Sequence, residues 1–320
     1  MRFAIYGAGA IGGYLGGMLS LAGEDVTLIA RGSHFDAMVK NGLVIETSSG
    51  AVHTTPNITD DPSSIGPVDY IFLTVKAHSI PEIVLNLDQM IKDNTAIVSA
   101  QNGIPWWYFE KYEGPLSGKH IQCIDPDRII SKNISPDRVI GCIVYPATEM
   151  SQPGVIRHIE GDRFSLGELD GSHTDRCKIL ADILIRSGFR APIRTDIRKE
   201  IWTKLLGNMA FNPLSALTRS TLAEMTQDNA VASISKHMMA EADAVAVALG
   251  LDIPISIEQR FLGAQKVGHH KTSMLQDLES GRRLELNSII GAALEIGDLL
   301  DIPMPYTKTI YSCLSLLVRE

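Results

Sequence analysis

The chain has 320 residues, of which 45% are hydrophobic and 21% charged, and its formal net charge is -8 at pH 7. The length predicts about two domains, and the acidic balance argues against broad binding to nucleic acid or to an anionic membrane. Glycines interrupt the apolar start of the chain. Because no run of roughly 18 apolar residues follows, we expect neither a signal peptide nor a membrane span.

Its 4 cysteines and 9 histidines show no spacing typical of metal ligands. The cysteines lie far apart without a C-x-x-C, which predicts reduced thiols in a cytoplasmic protein and no disulfide framework. The histidines include no H-E-x-x-H, so we expect no protein-bound metal.

The start of the chain predicts a strand at 3–6, a glycine-rich turn at 7–12, a helix and a second strand at 26–30. In this context the G-x-G-x-x-G pattern indicates a dinucleotide site. Gly7 permits the tight turn, Gly9 lets the backbone approach a pyrophosphate, and Gly12 lets helix and strand pack closely. The helix N-terminus offers free N–H groups to the phosphates. The residues predicted to bind the cofactor are Gly7, Ala8, Gly9, Ala10, Ile11 and Gly12.

The end of the second strand indicates which dinucleotide is bound. Proteins that bind NAD carry an acid there for the ribose 2′-hydroxyl, but this chain reads Ile29-Ala30-Arg31. A guanidinium can pair with a 2′-phosphate, so Arg31 favours NADP. The alternative is an ordinary surface arginine.

Two further polar residues follow predicted strands. Lys76 follows the strand at 68–75, and Asn102 follows the strand at 95–99 within Gln101-Asn102-Gly103. Ligands of open α/β sheets bind beyond the carboxyl ends of strands, so both residues are expected beside the phosphate turn. The alternatives are a solubilising lysine and a simple Asn-Gly turn.

The remaining pattern is mixed up to about residue 195 and purely helical after it. The first part predicts a hairpin at 43–47 and 52–55, helices at 80–91 and 174–187, a long irregular stretch at 114–137, and strands at 139–145, 154–159, 163–167 and 189–194. The second part predicts helices at 196–211, 228–249, 256–268, 274–300 and 305–318, with a break at Pro213. We therefore expect domains at 1–195 and 196–320.

The helix that begins the second part carries a polar stripe. Lys204, Asn208 and Asn212 recur every four residues and drift by only about 40° per step. The rest of the helix is apolar, which is typical of burial, and buried polar groups need partners. The stripe is expected to face a cleft that binds a polar molecule; the alternative is the solvated side of an amphipathic helix.

Glu285 and Ser273 add to this chemistry. Glu285 is in phase with Ile289 on a core-facing helix stripe, where Lys204 would be its natural partner. The alternative is a structural ion pair or a carboxylate that turns into solvent. Ser273-Met-Leu-Gln276 predicts a capping box, and the same helix N-terminus could hold a substrate carboxylate.

These motifs together resemble the ketopantoate reductase family. The resemblance rests on Gly7-x-Gly-x-x-Gly12, Lys76, Asn102-Gly103, Lys204-x-x-x-Asn208-x-x-x-Asn212-Pro-Leu and Ser273-Met-Leu-Gln-Asp, followed by Glu285. It spans nearly the whole chain. It implies an α/β N-terminal Rossmann domain with a doubly wound, mainly parallel sheet. It also implies an all-α C-terminal domain of the 6-phosphogluconate-dehydrogenase-like type, with the active cleft between the two.

The resemblance also implies roles for the matching residues. Lys204 is implied to be the general acid, and Glu285 the acid that orients it. The implied substrate-binding positions are Asn102, Asn208, Asn212 and Ser273. The implied cofactor contacts beyond the glycine turn are Arg31, Lys76 and Asn102. This is consistent with the chemistry, because hydride attack on a 2-oxo group leaves an alkoxide that an ammonium can stabilise and protonate.

The sequence departs from the family pattern in three ways. Gln101 stands where a histidine often precedes the family's Asn-Gly, and 218–222 lacks a further substrate asparagine. Trp106 and Trp107 follow Asn102 closely, ahead of the irregular stretch 114–137. One hypothesis is a pocket remodelled for a bulkier 2-oxo acid. The alternative is that the tryptophans belong to the core and the stretch is a surface insertion.

The leading interpretation is NADPH-dependent reduction of 2-dehydropantoate (ketopantoate) to pantoate, a step of pantothenate and coenzyme A biosynthesis. One alternative is the same chemistry on another 2-oxo acid. A second is a non-catalytic NADPH-binding sensor or scaffold, which an intact Lys204 disfavours. Apolar helices in the second part could bury a homodimer interface, although a helical core explains them equally well.

Overall fold

The structure, a computed structural model, describes residues 1–318, which divide into two compact units. The first unit comprises Met1–Gln101 and Arg128–Ile197. The second comprises Asn102–Asp127 and the described residues from Arg198 onward. The sequence places one boundary near Thr195, whereas the chain crosses between the units three times.

The first unit contains eleven strands and five α-helices. The strands are β1 (Arg2–Tyr6), β2 (Asp25–Ile29), β3 (Leu43–Thr47), β4 (Gly50–Thr54), β5 (Asn57–Thr59), β6 (Tyr70–Leu73), β7 (Ala96–Ser99), β8 (Val139–Val144), β9 (Ala147–Gln152), β10 (Val155–Glu160) and β11 (Phe164–Glu168). The helices are α1 (Ala10–Leu21), α2 (Gly32–Asn41), α3 (Ile80–Ile83), α4 (Ile129–Asn133) and α5 (Asp175–Arg186).

The strands form two sheets. The larger has the order β11-β8-β7-β6-β1-β2-β5, and all its neighbours are parallel except β8 with β11. Its central strands are apolar runs buried on both faces, as expected of a parallel sheet covered on both sides. The smaller sheet has the order β4-β3-β10-β9. The predicted α/β class with a mainly parallel sheet is confirmed.

Helix α1 packs against both sheets through two glycines. A Cβ on Gly16 would lie 2.3 Å from Leu28 of the larger sheet, and a Cβ on Gly17 would lie 2.6 Å from Ile45 of the smaller one. Larger side chains would push the helix away from the strands. This close packing holds the start of α1 directly beside the end of β1.

The described part of the second unit contains helices and no strands. The helices are α6 (Ile197–Thr218), α7 (Leu222–Gln227), α8 (Asn229–Ala248), α9 (Ile257–Val267), α10 (Ser273–Glu279), α11 (Ala292–Leu299) and α12 (Pro305–Leu317). A π-helical turn, Asn287–Gly291, precedes α11. The predicted all-α C-terminal domain is confirmed. Within residues 1–318, no helix combines the length and the apolarity needed to cross a membrane.

The segment Asn102–Asp127 belongs with these helices because its aromatic residues pack among them. The Trp202 indole donates a hydrogen bond to the Tyr108 hydroxyl at 2.7 Å. The Arg198 guanidinium donates to the Tyr108 carbonyl at 2.7 Å. The predicted loop 114–137 is also less irregular than expected, since it contains α4.

Several predicted elements are corrected by the structure. The helix predicted at 80–91 ends after Ile80–Ile83 and continues as 3₁₀ turns, in a stretch where Asn86 and Asp88 have low helix propensity. The helix predicted at 274–300 is interrupted after Glu279, because Gly281 adopts a φ of +63°. The strand predicted at 189–194 forms only isolated bridges. Pro213 lies inside α6 rather than ending it, because the surrounding packing outweighs its propensity.

Candidate functional site

The glycine turn is closed towards the sheet and open above Gly9. Gly7 has a φ of +100°, and a Cβ there would lie 2.6 Å from the Val75 side chain. A Cβ on Gly12 would lie 2.3 Å from the Gly7 carbonyl oxygen. At Gly9, by contrast, no heavy atom of residues 1–318 beyond the adjoining residues of the chain lies within 4 Å of a Cβ position. This geometry suits a backbone that a pyrophosphate approaches closely.

The start of α1 can receive an anion. Gly9 is the N-cap of α1, and no side chain caps the helix there. The first-turn N–H groups of an α-helix have no partner within the helix, so such a start suits an anion. The Thr74 hydroxyl donates hydrogen bonds to the Gly7 carbonyl at 2.9 Å and to the Tyr6 carbonyl at 3.1 Å. These bonds fix the turn to the end of β6.

Three strands end at the same level beside this turn. Tyr6 of β1 pairs with Leu73 of β6, which pairs with Ser99 of β7. The Gln101 amide donates to the Leu73 carbonyl at 2.5 Å and accepts a bond from the Ser99 hydroxyl at 2.8 Å. Lys76 follows the end of β6 and is half-buried. The structure therefore brings Lys76 to the same sheet edge as the glycine turn, as predicted.

Arg31 and His34 lie just beyond β2. Arg31 is exposed and is the N-cap residue of α2, and no acid occupies the strand end. The sequence alone did not single out His34, which is buried and accepts a hydrogen bond from the Gly154 N–H on Nδ1 at 2.9 Å. Burial lowers the pKa of His34 below its ordinary value of 6.5, against an opposing contribution from the Ala8 carbonyl. A buried neutral histidine therefore borders the glycine turn.

The polar stripe of α6 lies in the second unit among buried apolar residues. Lys204 and Asn208 are half-buried, and Asn212 is only 6% exposed. The Lys204 ammonium donates a hydrogen bond to the Asn102 side-chain oxygen at 2.6 Å. The stripe is therefore not the solvated face of an amphipathic helix, and its lysine is held by the asparagine that the sequence predicts at a strand end.

Glu285 is 6% exposed, so the predicted burial of this carboxylate is confirmed. Its expected place within a long helix is wrong, because Glu285 directly precedes the first helical residue, Leu286. Its backbone carbonyl accepts a hydrogen bond from the Ile289 N–H at 3.2 Å. The residue thus stands at the entry to the π-helical turn, in the same unit as Lys204.

The predicted capping box at Ser273 is also corrected. Thr272 is the N-cap of α10, and its hydroxyl accepts the Leu275 N–H at 3.3 Å. Ser273 is the first helical residue and is exposed. Threonine provides the same capping oxygen one residue earlier, which leaves the Ser273 hydroxyl available to solvent. A substrate-binding role for Ser273 stays a prediction.

The two adjacent tryptophans belong to the core. Trp106 is 6% exposed and Trp107 is 1% exposed. This agrees with the core interpretation and removes the main reason to expect a remodelled pocket.

Arg260, which the sequence analysis did not single out, lies against α6. A Cβ on Gly207 would lie 2.4 Å from its guanidinium, one helical turn from Lys204.

The candidate residues divide between the units in a simple way. The glycine turn, Arg31 and Lys76 lie in the first unit. Asn102, Lys204 and Glu285 lie in the second, with the remaining substrate-binding candidates Asn208, Asn212 and Ser273. Among residues 1–318 no group of three or more histidine, cysteine, aspartate or glutamate side chains could hold a metal ion.

Comparison with known proteins identifies two family models that match successive parts of the chain. The model described as ketopantoate reductase PanE/ApbA matches residues 3–171, and the model of its C-terminal part matches residues 196–318. A 2-dehydropantoate 2-reductase of Mesorhizobium japonicum is 44% identical over 320 residues, which cover 100% of this chain and 97% of that protein.

Solved structures show the same architecture. A 2-dehydropantoate 2-reductase from Geobacter metallireducens superimposes with a TM-score of 0.88 at 26% identity, covering 99% of this chain and 100% of the other. A D-mandelate dehydrogenase with NADH and anilino(oxo)acetate superimposes with a TM-score of 0.85 at 23% identity, covering 99% and 98%. At that identity the second likeness concerns the fold alone.

Proposed function

Because the chain belongs to the ketopantoate reductase family, we propose that it reduces 2-dehydropantoate to pantoate with NADPH and that Lys204 is the general acid. The observation that carries the proposal is the 2.6 Å hydrogen bond from the Lys204 ammonium to Asn102. The neutral Asn102 amide holds the Lys204 ammonium, and Asn208 and Asn212 lie on the same helix stripe. This set of hydrogen-bonding groups suits a substrate that carries oxygen acceptors.

The first unit supplies the cofactor-binding residues of this proposal. The open backbone at Gly9 and the uncapped start of α1 fit a pyrophosphate. The exposed Arg31 guanidinium fits a 2′-phosphate. When bound, the nicotinamide supplies the hydride for the substrate carbonyl carbon. Lys76, at the same sheet edge, provides a cation for the cofactor or for the substrate carboxylate.

The second unit supplies the proton. Hydride addition places negative charge on the former carbonyl oxygen, and the Lys204 ammonium stabilises this charge and transfers a proton to it. Asn102 accepts a hydrogen bond from the same ammonium and thereby fixes its direction. The buried Glu285 carboxylate favours the charged form of a nearby lysine. Asn208, Asn212 and Ser273 contribute hydrogen bonds to the substrate's hydroxyl and carboxylate groups.

The test is a panel of 2-oxo acids assayed with NADPH and with NADH. The panel contains ketopantoate, branched aliphatic acids and an aromatic acid such as benzoylformate. The proposal predicts the highest kcat/KM for ketopantoate with NADPH. A higher kcat/KM for another acid would show that this member of the family acts on a substrate other than ketopantoate. No NADPH oxidation with any acid, despite cofactor binding, would contradict the proposal.

A second candidate function is the reduction of another 2-oxo acid by the same chemistry. It is favoured by Gln101, which takes the place of a frequent family histidine, and by the missing asparagine at 218–222. A D-mandelate dehydrogenase has the same fold, and for this reason the panel includes an aromatic acid. The buried tryptophans do not add to this case.

A further inference from the structure

The π-helical turn Asn287–Gly291 touches the segment that follows Asn102. The Ser288 carbonyl accepts a hydrogen bond from the Ile104 N–H at 2.8 Å. A Cβ on Gly103 would lie 2.2 Å from the oxygen of that carbonyl and 2.4 Å from its carbon. The two backbones are therefore in direct contact, with no side chain between them.

The turn is suited to this contact by its hydrogen bonding. The Ala292 N–H donates to the Asn287 carbonyl, five residues back, instead of four as in an α-helix. Such a bulge displaces carbonyls from the regular ladder and lets them accept hydrogen bonds from elsewhere. Single π-turns of this kind are rare and often occur at functional sites.

Glu285 lies two residues before this turn, and its backbone is hydrogen-bonded to it. The Glu285 carbonyl accepts hydrogen bonds from the Ile289 N–H at 3.2 Å and from the Ser288 hydroxyl at 3.3 Å. The short segment 285–291 therefore carries the buried Glu285 at its start and contacts the chain beside Asn102 through Ser288. Asn102 in turn accepts the hydrogen bond from Lys204.

We propose that Gly103 and the π-helical turn form a backbone clamp that positions Asn102 and Glu285 together around Lys204. Gly103 is then a positioning residue for proton donation. This inference rests on the proposed function, because it takes Lys204 as the proton donor. The clamp fixes Asn102 and Glu285, which lie on different segments of the chain, relative to each other. A shift of either segment would therefore displace one of these residues from Lys204.

Glycine is required at position 103 for two separable reasons. Its φ of +83° disfavours other residues, and the Ser288 carbonyl occupies the place of a Cβ. Gly250, in the same unit, has a φ of +81°, and no heavy atom of residues 1–318 beyond the adjoining residues of the chain lies within 4 Å of a Cβ position there. Gly250→Ala therefore reproduces the backbone strain of Gly103→Ala without the clash, and serves as its matched control.

The experiment compares kcat and KM for both variants, each alone and combined with Lys204→Ala. Gly103→Ala should lower kcat by about 10- to 100-fold, since a misplacement of about 1 Å can cost that much, with the KM for NADPH nearly unchanged. Gly250→Ala should keep kcat within about two-fold of the wild type, as expected of a site remote from the chemistry. In the Lys204→Ala background, Gly103→Ala should lower kcat by less than about three-fold, because residues that act as a unit are not additive.

The clamp is overturned if Gly103→Ala and Gly250→Ala have equal kcat, or if Gly103→Ala costs the same factor with and without Lys204. A failure of the proposed function is seen separately, as unchanged turnover in Lys204→Ala alone. If Gly103→Ala does not fold, hydrogen exchange of the wild-type Ile104 amide decides. The clamp predicts slow exchange, as for core amides of α6, and exchange at the rate of an exposed loop amide contradicts it.

Discussion

Lys204 donates a hydrogen bond to the Asn102 side chain at 2.6 Å, although 102 positions separate the two residues in the chain. The sequence predicts Glu285 as the partner of the lysine and places Asn102 at a strand end beside the cofactor. The contact places Asn102 in the immediate surroundings of the candidate acid. This relationship underlies the predictions on catalysis.

Asn102→Ala removes the acceptor that orients the Lys204 ammonium. We expect kcat to fall by roughly 10- to 100-fold, since a lost orienting hydrogen bond in a site costs on the order of 1.5–3 kcal/mol when one partner is charged. Steady-state kinetics with NADPH and ketopantoate measure the effect. The exposed Asn94 serves as a control, and Asn94→Ala should leave kcat unchanged. Equal kcat in both variants would remove Asn102 from the mechanism.

Arg31→Ala tests the choice of cofactor. If the guanidinium pairs with the 2′-phosphate, the KM for NADPH should rise by about 10- to 100-fold, the range expected for a charge-assisted contact. The KM for NADH should hardly change, because NADH has no phosphate there. Lys40→Ala, which removes an exposed cation from the same helix, is the control. A similar rise in KM for both cofactors would refute the role of Arg31.

The parts of the site that are local in sequence could be predicted, and those that depend on distant backbone could not. The glycine turn follows from one βαβ unit, because its G-x-G-x-x-G pattern lies wholly within residues 7–12, between a predicted strand and a predicted helix. The polar stripe of α6 follows from helical periodicity alone. The contact of Gly103 with Ser288 joins segments 185 positions apart (from Gly103 to Ser288), and neither segment shows a periodicity that would pair them.

Predictions from local propensity were also wrong where tertiary packing or a neighbouring residue determined the end of a helix or its cap. A proline normally ends or kinks a helix, yet α6 continues past Pro213 in a buried environment. Ser273 and Thr272 have similar capping chemistry, so the sequence leaves their order ambiguous. The aromatic run after Asn102 is apolar enough for either unit, and only its hydrogen bonds with Arg198 and Trp202 assign it to the helices.

His34 predicts a specific pH dependence of stability. Burial keeps the folded-state pKa below the ordinary 6.5, so the unfolded chain takes up a proton first as the pH falls. The free energy of unfolding should therefore decrease below about pH 6.5, by at most about 1.4 kcal/mol per pH unit from this residue. Protonation of Nδ1 would also break the bond from Gly154.

The measurement for His34 is urea denaturation between pH 7 and pH 5. His34→Asn retains an acceptor for the Gly154 N–H but does not titrate, so its stability should fall less steeply over this range than that of the wild type. The exposed His173 provides the control, and His173→Asn should follow the wild-type slope. Parallel slopes for His34→Asn and the wild type would contradict the assignment.

The four cysteines should differ sharply in reactivity. Cys142 and Cys177 are buried, and burial raises the pKa of Cys177 to about 12. Burial and the neighbouring Glu295 carboxylate also raise the pKa of Cys123, whereas Cys313 is exposed. Because the thiolate is the reactive form, a thiol reagent at pH 8 should modify Cys313 rapidly in the native protein and the other three only on unfolding. Rapid modification that persists in Cys313→Ser would show that another thiol is accessible.

The measurement that tests the central claim most directly is the turnover of Lys204→Ala with ketopantoate and NADPH. Loss of the general acid should lower kcat by about 10²-fold or more, while the Kd for NADPH, measured by fluorescence, stays near the wild-type value. Lys199 lies on the same helix as Lys204, and its ammonium pairs with the exposed Asp252 at 4.0 Å. Lys199→Ala is the control and should retain full turnover. Wild-type turnover in Lys204→Ala would contradict the assignment of Lys204 as the proton donor.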